Sequence, residues 1–298
     1  MLSLLKKIIP PQLLPLLRKV WRLKHRAGIF SKKIKGELIT ETQLITQLKQ
    51  AGISQGDSLL VHSSLRKIGY VQHGATTVIQ ALIKTLGTNG TLLMPAFPAK
   101  GYNKDYLLHN TMFNYHNTQS SMGIITEVFR TQYATHRSLH ATDSVCALGA
   151  YADYITNTHL GQLTPYNEHS PFYKLCKAHG KILLLGVDLN SLTNFHTLED
   201  AVEHFIYPVY DAQEFNVTLT DKNNAVHIAT TKVHNPEYSA KRQCLAFENV
   251  FINDGIMRKI KIGNATSYLI EAAKLQEWMI INYQTKKITL YTPQGSPQ

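Results

Sequence analysis

Three apolar runs separated by amphipathic stretches constrain this chain more than any other feature. Ser58-Leu59-Leu60-Val61-His62 lies within a buried-strand pattern from Asp57 to Leu65, Thr91-Leu92-Leu93-Met94-Pro95 reads as a second strand, and Ile182-Leu183-Leu184-Leu185-Gly186-Val187 as a third. Strands without polar alternation are buried on both faces, and helices must cover them. Helical periodicity supplies those covers at Ile39 to Ala51, with Thr40 as N-cap and Gly52 closing it. Further covers are expected at Thr76 to Leu86, Gly123 to Gln132 and Pro171 to Lys177. The expected fold class is therefore α/β, a layered α/β/α sandwich around a central mixed sheet.

The remaining elements are weaker. Ser144 to Leu148 is expected as a strand, His196 to Phe205 and Ala265 to Ile281 as helices, and Ile288 to Tyr291 as a short closing strand. Alternation from Phe215 to Val233 predicts a hairpin turning at Asp221 to Asn224. Lys100 to Gln119, rich in Asn, His and Tyr, has no clear period and reads as a long loop.

Charge divides the chain. Residues 1–36 hold ten of the 31 Lys and Arg and no acid, so setting them aside leaves 21 basic against 20 acidic residues. Ten of the eleven net positive charges thus belong to an N-terminal arm, and 37–298 forms the domain. The arm mixes its cations with leucines and Trp21, while Pro10, Pro11 and Pro15 interrupt it well short of the ~20 residues of a membrane span. It reads as an extension packed on its own domain or on a second subunit of a homodimer. A peripheral contact with the inner membrane face is the competing reading. No nucleic-acid motif accompanies the charge. Cys146, Cys176 and Cys244 read as reduced core thiols of a cytoplasmic protein.

Three segments carry chemistry. His62-Ser63-Ser64-Leu65-Arg66-Lys67-Ile68-Gly69 ends a strand in hydroxyls, cations and glycine before a helix, a setting that suits phosphate groups but is also an ordinary polar turn. Arg137-Ser138-Leu139-His140 sits in a turn that would otherwise read as solvated loop. Asn194-Phe195-His196-Thr197-Leu198-Glu199 follows the third apolar run and places His196 and Glu199 at i and i+3, on one helix face. A carboxylate on one imidazole nitrogen fixes the tautomer and frees the other as a base. From Lys181 to Lys222 there is no intervening Lys or Arg, yet Asp188, Glu199, Asp200, Glu203, Asp211, Glu214 and Asp221 fall there, which suggests a pocket for a cationic ligand. A metal site on His196, Glu199 and Glu203 competes, but the zinc-protease spacing is absent. Gly-x-Ser-x-Gly and Gly-x-x-x-x-Gly-Lys motifs are also absent, which disfavours an α/β-hydrolase and a P-loop enzyme.

Taken in order, Val61 to Leu65 with Gly69 and Gly74-Ala75, Gly90 to Pro95, Met122-Gly123, Arg137 to His140, Ser144 to Gly149, Ser170-Pro171, Leu184 to Val187 and Asn194 to Glu199 resemble the aminoglycoside 3-N-acetyltransferase family of acetyl-CoA-dependent enzymes. The resemblance spans roughly residues 37 to 280. It implies that His62, Ser63, Ser64, Lys67 and Gly69 contact coenzyme A, and that Arg137 and Ser138 close over its pantetheine and phosphates. It implies His196 as the catalytic histidine, Glu199 as its partner, acetyl-CoA as co-substrate and no metal. Two departures stand out: Ala141 follows His140 where the family usually has proline, and the basic arm is not part of the common pattern. The implied activity is acetyl transfer to an amine of an aminoglycoside or related amino sugar, a small-molecule partner. The alternatives are a nucleotide- or lipid-linked amino sugar of surface polysaccharide, and a non-catalytic coenzyme A or membrane-binding protein.

Overall fold

A computed structural model describes residues 38–295. The basic arm at 1–36 and its boundary with the domain lie outside the described residues, and so do the membrane and second-subunit readings attached to it. No helix among the described residues is long and apolar enough to cross a membrane.

The three apolar runs form the heart of a seven-stranded sheet. β1 (Ser58–Ser63), β2 (Thr91–Pro95) and β6 (Lys181–Leu185) lie side by side and parallel, with β1 in the middle. Antiparallel strands extend both edges: β4 (His136–Arg137) and β5 (Val145–Gly149) beyond β2, β9 (Met257–Ile262) and β10 (Ala265–Glu271) beyond β6. Side chains alternate across a strand, so Leu59, Val61, Leu183 and Leu185 enter one core while Leu60, Ile182 and Leu184 enter the other. Helices Glu41–Gln50, Ala75–Leu86 and Ile124–Gln132 cover the first face. Helices Ala152–Thr156, Pro171–Lys177, Glu248–Asn253 and Ala272–Lys286 cover the second. This is the expected sandwich with a mixed central sheet. His62 follows Leu60 by two residues, so it projects toward the second face, and that is where the chemistry lies.

Local chemistry accounts for several boundaries. The Thr40 hydroxyl accepts from Gln43 N–H while the Gln43 side chain accepts from Thr40 N–H, a reciprocal capping box. Ser170 caps the helix that Pro171 opens, accepting from Tyr173 N–H.

A small second sheet, β3 (Met112–Asn114), β7 (Phe215–Thr220) and β8 (Val226–Thr231), carries the expected hairpin. Its own core includes Leu107, Phe113, Phe215, Val217 and Leu219.

Four expectations are corrected. Residues 100–119 are not one loop, because helix Asn103–Leu107 and β3 anchor them on the small sheet. Ala265 to Glu271 is strand, hydrogen-bonded on both sides by β6 and β9, and the helix starts only at Ala272. The helix expected from His196 ends at Ala201, after a 3₁₀ turn at Thr193–His196. Ile288 to Tyr291 joins no sheet and is pinned by hydrogen bonds between Thr289 and Thr292.

Candidate active site

The 3₁₀ turn and the short helix Thr197–Ala201 place His196 and Glu199 one turn apart, both buried. An ionised carboxylate can only accept hydrogen bonds. Glu199 is filled by three donors: His196 Nδ1 at 3.1 Å from each of its oxygens, His234 Nε2 at 2.6 Å, and the Tyr291 hydroxyl at 2.7 Å. Burial alone would raise its pKa, but the two histidines outweigh burial and hold the group well below the usual carboxylate range. Because Nδ1 of His196 donates to Glu199, Nε2 is the basic nitrogen, and the ring lines a cavity of about 360 Å³.

Aromatic side chains hold the pair in place. The Tyr166 ring lies 5.1 Å from His196 and 5.4 Å from His234, and the Tyr210 ring stacks on His234 at 4.9 Å. Asp200 accepts from the Tyr210 hydroxyl at 3.0 Å and from Tyr166 N–H at 3.1 Å, which ties both rings to the helix that carries Glu199. His196 titrates well below its ordinary value, first because it is buried and second because Arg242 faces it; Glu199 opposes the shift without reversing it. The ring is therefore neutral at ordinary pH.

The other expected site residues divide. His62 and Ser63, at the end of β1, line the same cavity, and His62 Nε2 and Ser63 Oγ are buried with no hydrogen-bond partner. Ser64, Lys67 and Gly69 continue the turn but do not line that cavity. Gly69 has φ of 112°, a backbone conformation that favours glycine.

Arg137 and Ser138, expected against coenzyme A, are engaged in hydrogen bonds within the protein. Arg137 donates to the carbonyls of Tyr115, Thr118 and Ala96 and to Ser144 Oγ, with its guanidinium over the Phe113 ring at 4.5 Å. Ser138 is wholly buried, and its Oγ meets Val145 N–H at 2.9 Å and His159 Nδ1 at 3.0 Å. Neither lines the cavity of His196, and their polar groups are taken up in joining β4, β5 and the 100–119 segment.

The acidic surround also needs correction. None of the seven acids between Lys181 and Lys222 lines the cavity. Asp211 pairs with Lys104 and Asp221 with His227, Glu199 and Asp200 lie behind the aromatic wall, and Glu203 is exposed. Proximity in sequence gathered charges that the fold sends to separate places.

Sequence reasoning missed His234, Tyr291 and Arg242, which lie 35 to 92 residues from Glu199 and follow no local pattern. His234 reaches the site because an isolated bridge pairs it with Tyr210. His196, Glu199 and His234 bring three ligand-type atoms within 4.8 Å of one another, a spacing that a divalent ion could use. The nitrogens that would bind it face the carboxylate at hydrogen-bond distance, and Tyr291 adds a third donor, so the cluster is already satisfied as a hydrogen-bonded unit. Cys146, Cys176 and Cys244 are buried free thiols; burial pushes Cys146 to about 11 and Cys176 to about 12, outside the range of nucleophilic use.

The chain is similar in sequence and fold to known proteins. Among curated relatives, the SPbeta prophage-derived aminoglycoside N(3')-acetyltransferase-like protein YokD of Bacillus subtilis is 35% identical over 176 residues, 54% of this chain and 64% of that protein. An aminoglycoside N(3)-acetyltransferase III of a Salmonella species is 31% identical over 256 residues, 78% of this chain and 87% of that protein. The solved structure of AAC-IIIb in binary complex with CoASH superposes with a TM-score of 0.69 at 26% identity, covering 88% of this chain and 99% of that one. The structure of YokD gives 0.68 at 26% identity, covering 84% and 96%. Residues 60–282 match the sequence profile of the aminoglycoside 3-N-acetyltransferase family, and the chain belongs to that family.

Proposed function

We propose that this protein transfers the acetyl group of acetyl-CoA to an amine of an aminoglycoside or related amino sugar, with His196 as general base. The observation that carries the reading is the filled Glu199 carboxylate, which directs His196 Nδ1–H inward and leaves Nε2 as the base beside the cavity. As the amine nitrogen bonds to the thioester carbonyl carbon, its proton passes to Nε2. The C–S bond breaks, the sulfur leaves as thiolate, and the imidazolium returns the proton to it. Glu199 stabilises the imidazolium while that charge exists, and His234 and Tyr291 keep the carboxylate from turning away.

The co-substrate is assigned to the part of the cavity at the end of β1. His62 Nε2 and Ser63 Oγ are buried without partners at the end of β1, and coenzyme A is rich in amide groups that could satisfy them. Ser64, Lys67 and Gly69 would border the coenzyme from the adjoining turn. Arg137 and Ser138 act beneath it, holding the β4–β5 edge in shape.

The test is thiol release from acetyl-CoA in the presence of gentamicin-type antibiotics and nucleotide-linked amino sugars, assayed in parallel. Amine-dependent release with formation of the N-acetyl product is expected for at least one class. Absence of transfer to every amine would sink the reading and favour a non-catalytic coenzyme-binding role.

A further inference from the structure

Arg242 follows the short helix Pro236–Ser239 and lines the cavity of His196. Its Nε and Nη2 are buried with no hydrogen-bond partner. Burial disfavours its charge, but Tyr291 and Glu199 more than compensate, so the guanidinium stays cationic. Glu199 cannot serve as its hydrogen-bonded counter-ion, because both carboxylate oxygens are engaged by His196, His234 and Tyr291. The guanidinium also hydrogen-bonds Tyr291, but buried donors left open are costly, and a bound anion or water has to offset that cost.

The acid that lines the same cavity is equally telling. Asp143 accepts from the Tyr166 hydroxyl at 2.7 Å, Asn103 Nδ2 at 3.1 Å and Thr142 Oγ1 at 2.6 Å. Its acceptor capacity is largely used, and among the described residues it is the one carboxylate that lines the cavity. The cavity of His196 thus offers unpaired cationic donors and little free anionic acceptor, a poor match for a polycation.

We infer that the amine acceptor carries an anionic group, phosphate or carboxylate, which the Arg242 guanidinium receives while the amine lies at His196 Nε2. The inference rests on the transfer reading above and deepens it by naming the acceptor's chemistry. A planar guanidinium fork suits either anion. A sugar-linked phosphate and a sugar carboxylate are the two sources.

The experiment compares kcat/KM for four amines with acetyl-CoA: a UDP-linked amino sugar, an amino-uronate, an uncharged glycoside of the same amino sugar, and gentamicin. Wild-type protein should prefer at least one anionic acceptor over the uncharged glycoside. Arg242→Gln should shrink that preference by about 10- to 100-fold, and Arg242→Lys should keep part of it. UDP or inorganic phosphate should inhibit wild-type protein competitively against the acceptor, a measurement that needs no variant.

Efficient transfer to the uncharged glycoside or gentamicin with no anionic preference would overturn the inference while leaving the transfer reading intact. A preference unchanged in Arg242→Gln, with a raised KM for acetyl-CoA instead, would assign Arg242 to the coenzyme and also overturn it. Transfer to no amine at all would overturn both.

Discussion

At the residue scale, one carboxylate organises the chemistry. Glu199 receives three donors, and each has its own place in the proposed mechanism: His196 as the base, His234 holding the carboxylate's orientation, and Tyr291 tying it to the C-terminal segment. The His196–Glu199 contact was legible because i and i+3 meet on a helix face. His234, Tyr291 and Arg242 were not, since only tertiary folding brings them near. The depressed His196 pKa has a kinetic consequence, because its proton affinity first falls with burial. A base already neutral near pH 6.5 contributes no acid limb there, so the acid limb of kcat/KM should move with the acceptor's own amine pKa. Profiles for two acceptors of different amine pKa should separate accordingly. A common limb near pH 6.5 for both would contradict this.

At the element scale, what the sequence shows depends on whether an element has a period. The helix Pro171–Lys177 and β2 emerge with the expected boundaries because Ser170-Pro171 and Gly90 mark their ends. β10 was read as helix because it is buried on both faces and runs directly into the helix at Ala272, so no alternation separates the two. β3 and the helix Asn103–Leu107 are too short to show a period, and only their pairing and burial define them. The Arg137-Ser138 turn reads as solvated loop for a related reason, since a cation in a polar turn looks solvated until carbonyls 19 to 41 residues away converge on it. Arg137→Met should cost about 3 kcal/mol by stranding buried carbonyls and losing charge-assisted hydrogen bonds. Urea unfolding would show this as a lower midpoint; a change below about 0.5 kcal/mol would mean the guanidinium is not structural.

At the scale of the whole molecule, alternating strands and helices established the layered fold, and the run of acids did not establish the pocket's charge. The interior also holds an unusual set of histidines. His62, His140, His159 and His196 are all buried with pKa values lowered first by burial, His62 to about 4. In the unfolded chain each takes a proton below about pH 6.5. The unfolded state therefore binds more protons, and stability, full above about pH 6.5, is lost as pH falls toward the folded values. Thermal midpoints should drop steeply between pH 6.5 and 5, whereas a flat profile would show these histidines free to ionise in place.

The central claim, that His196 Nε2 takes the amine proton while Glu199 fixes the ring, is tested most directly with His196→Ala. Acetyl transfer is measured in a single turnover, and coenzyme A binding is measured separately on the same folded protein. The account predicts transfer reduced by about 10²- to 10⁴-fold with coenzyme affinity unchanged. Transfer at the wild-type rate would contradict it.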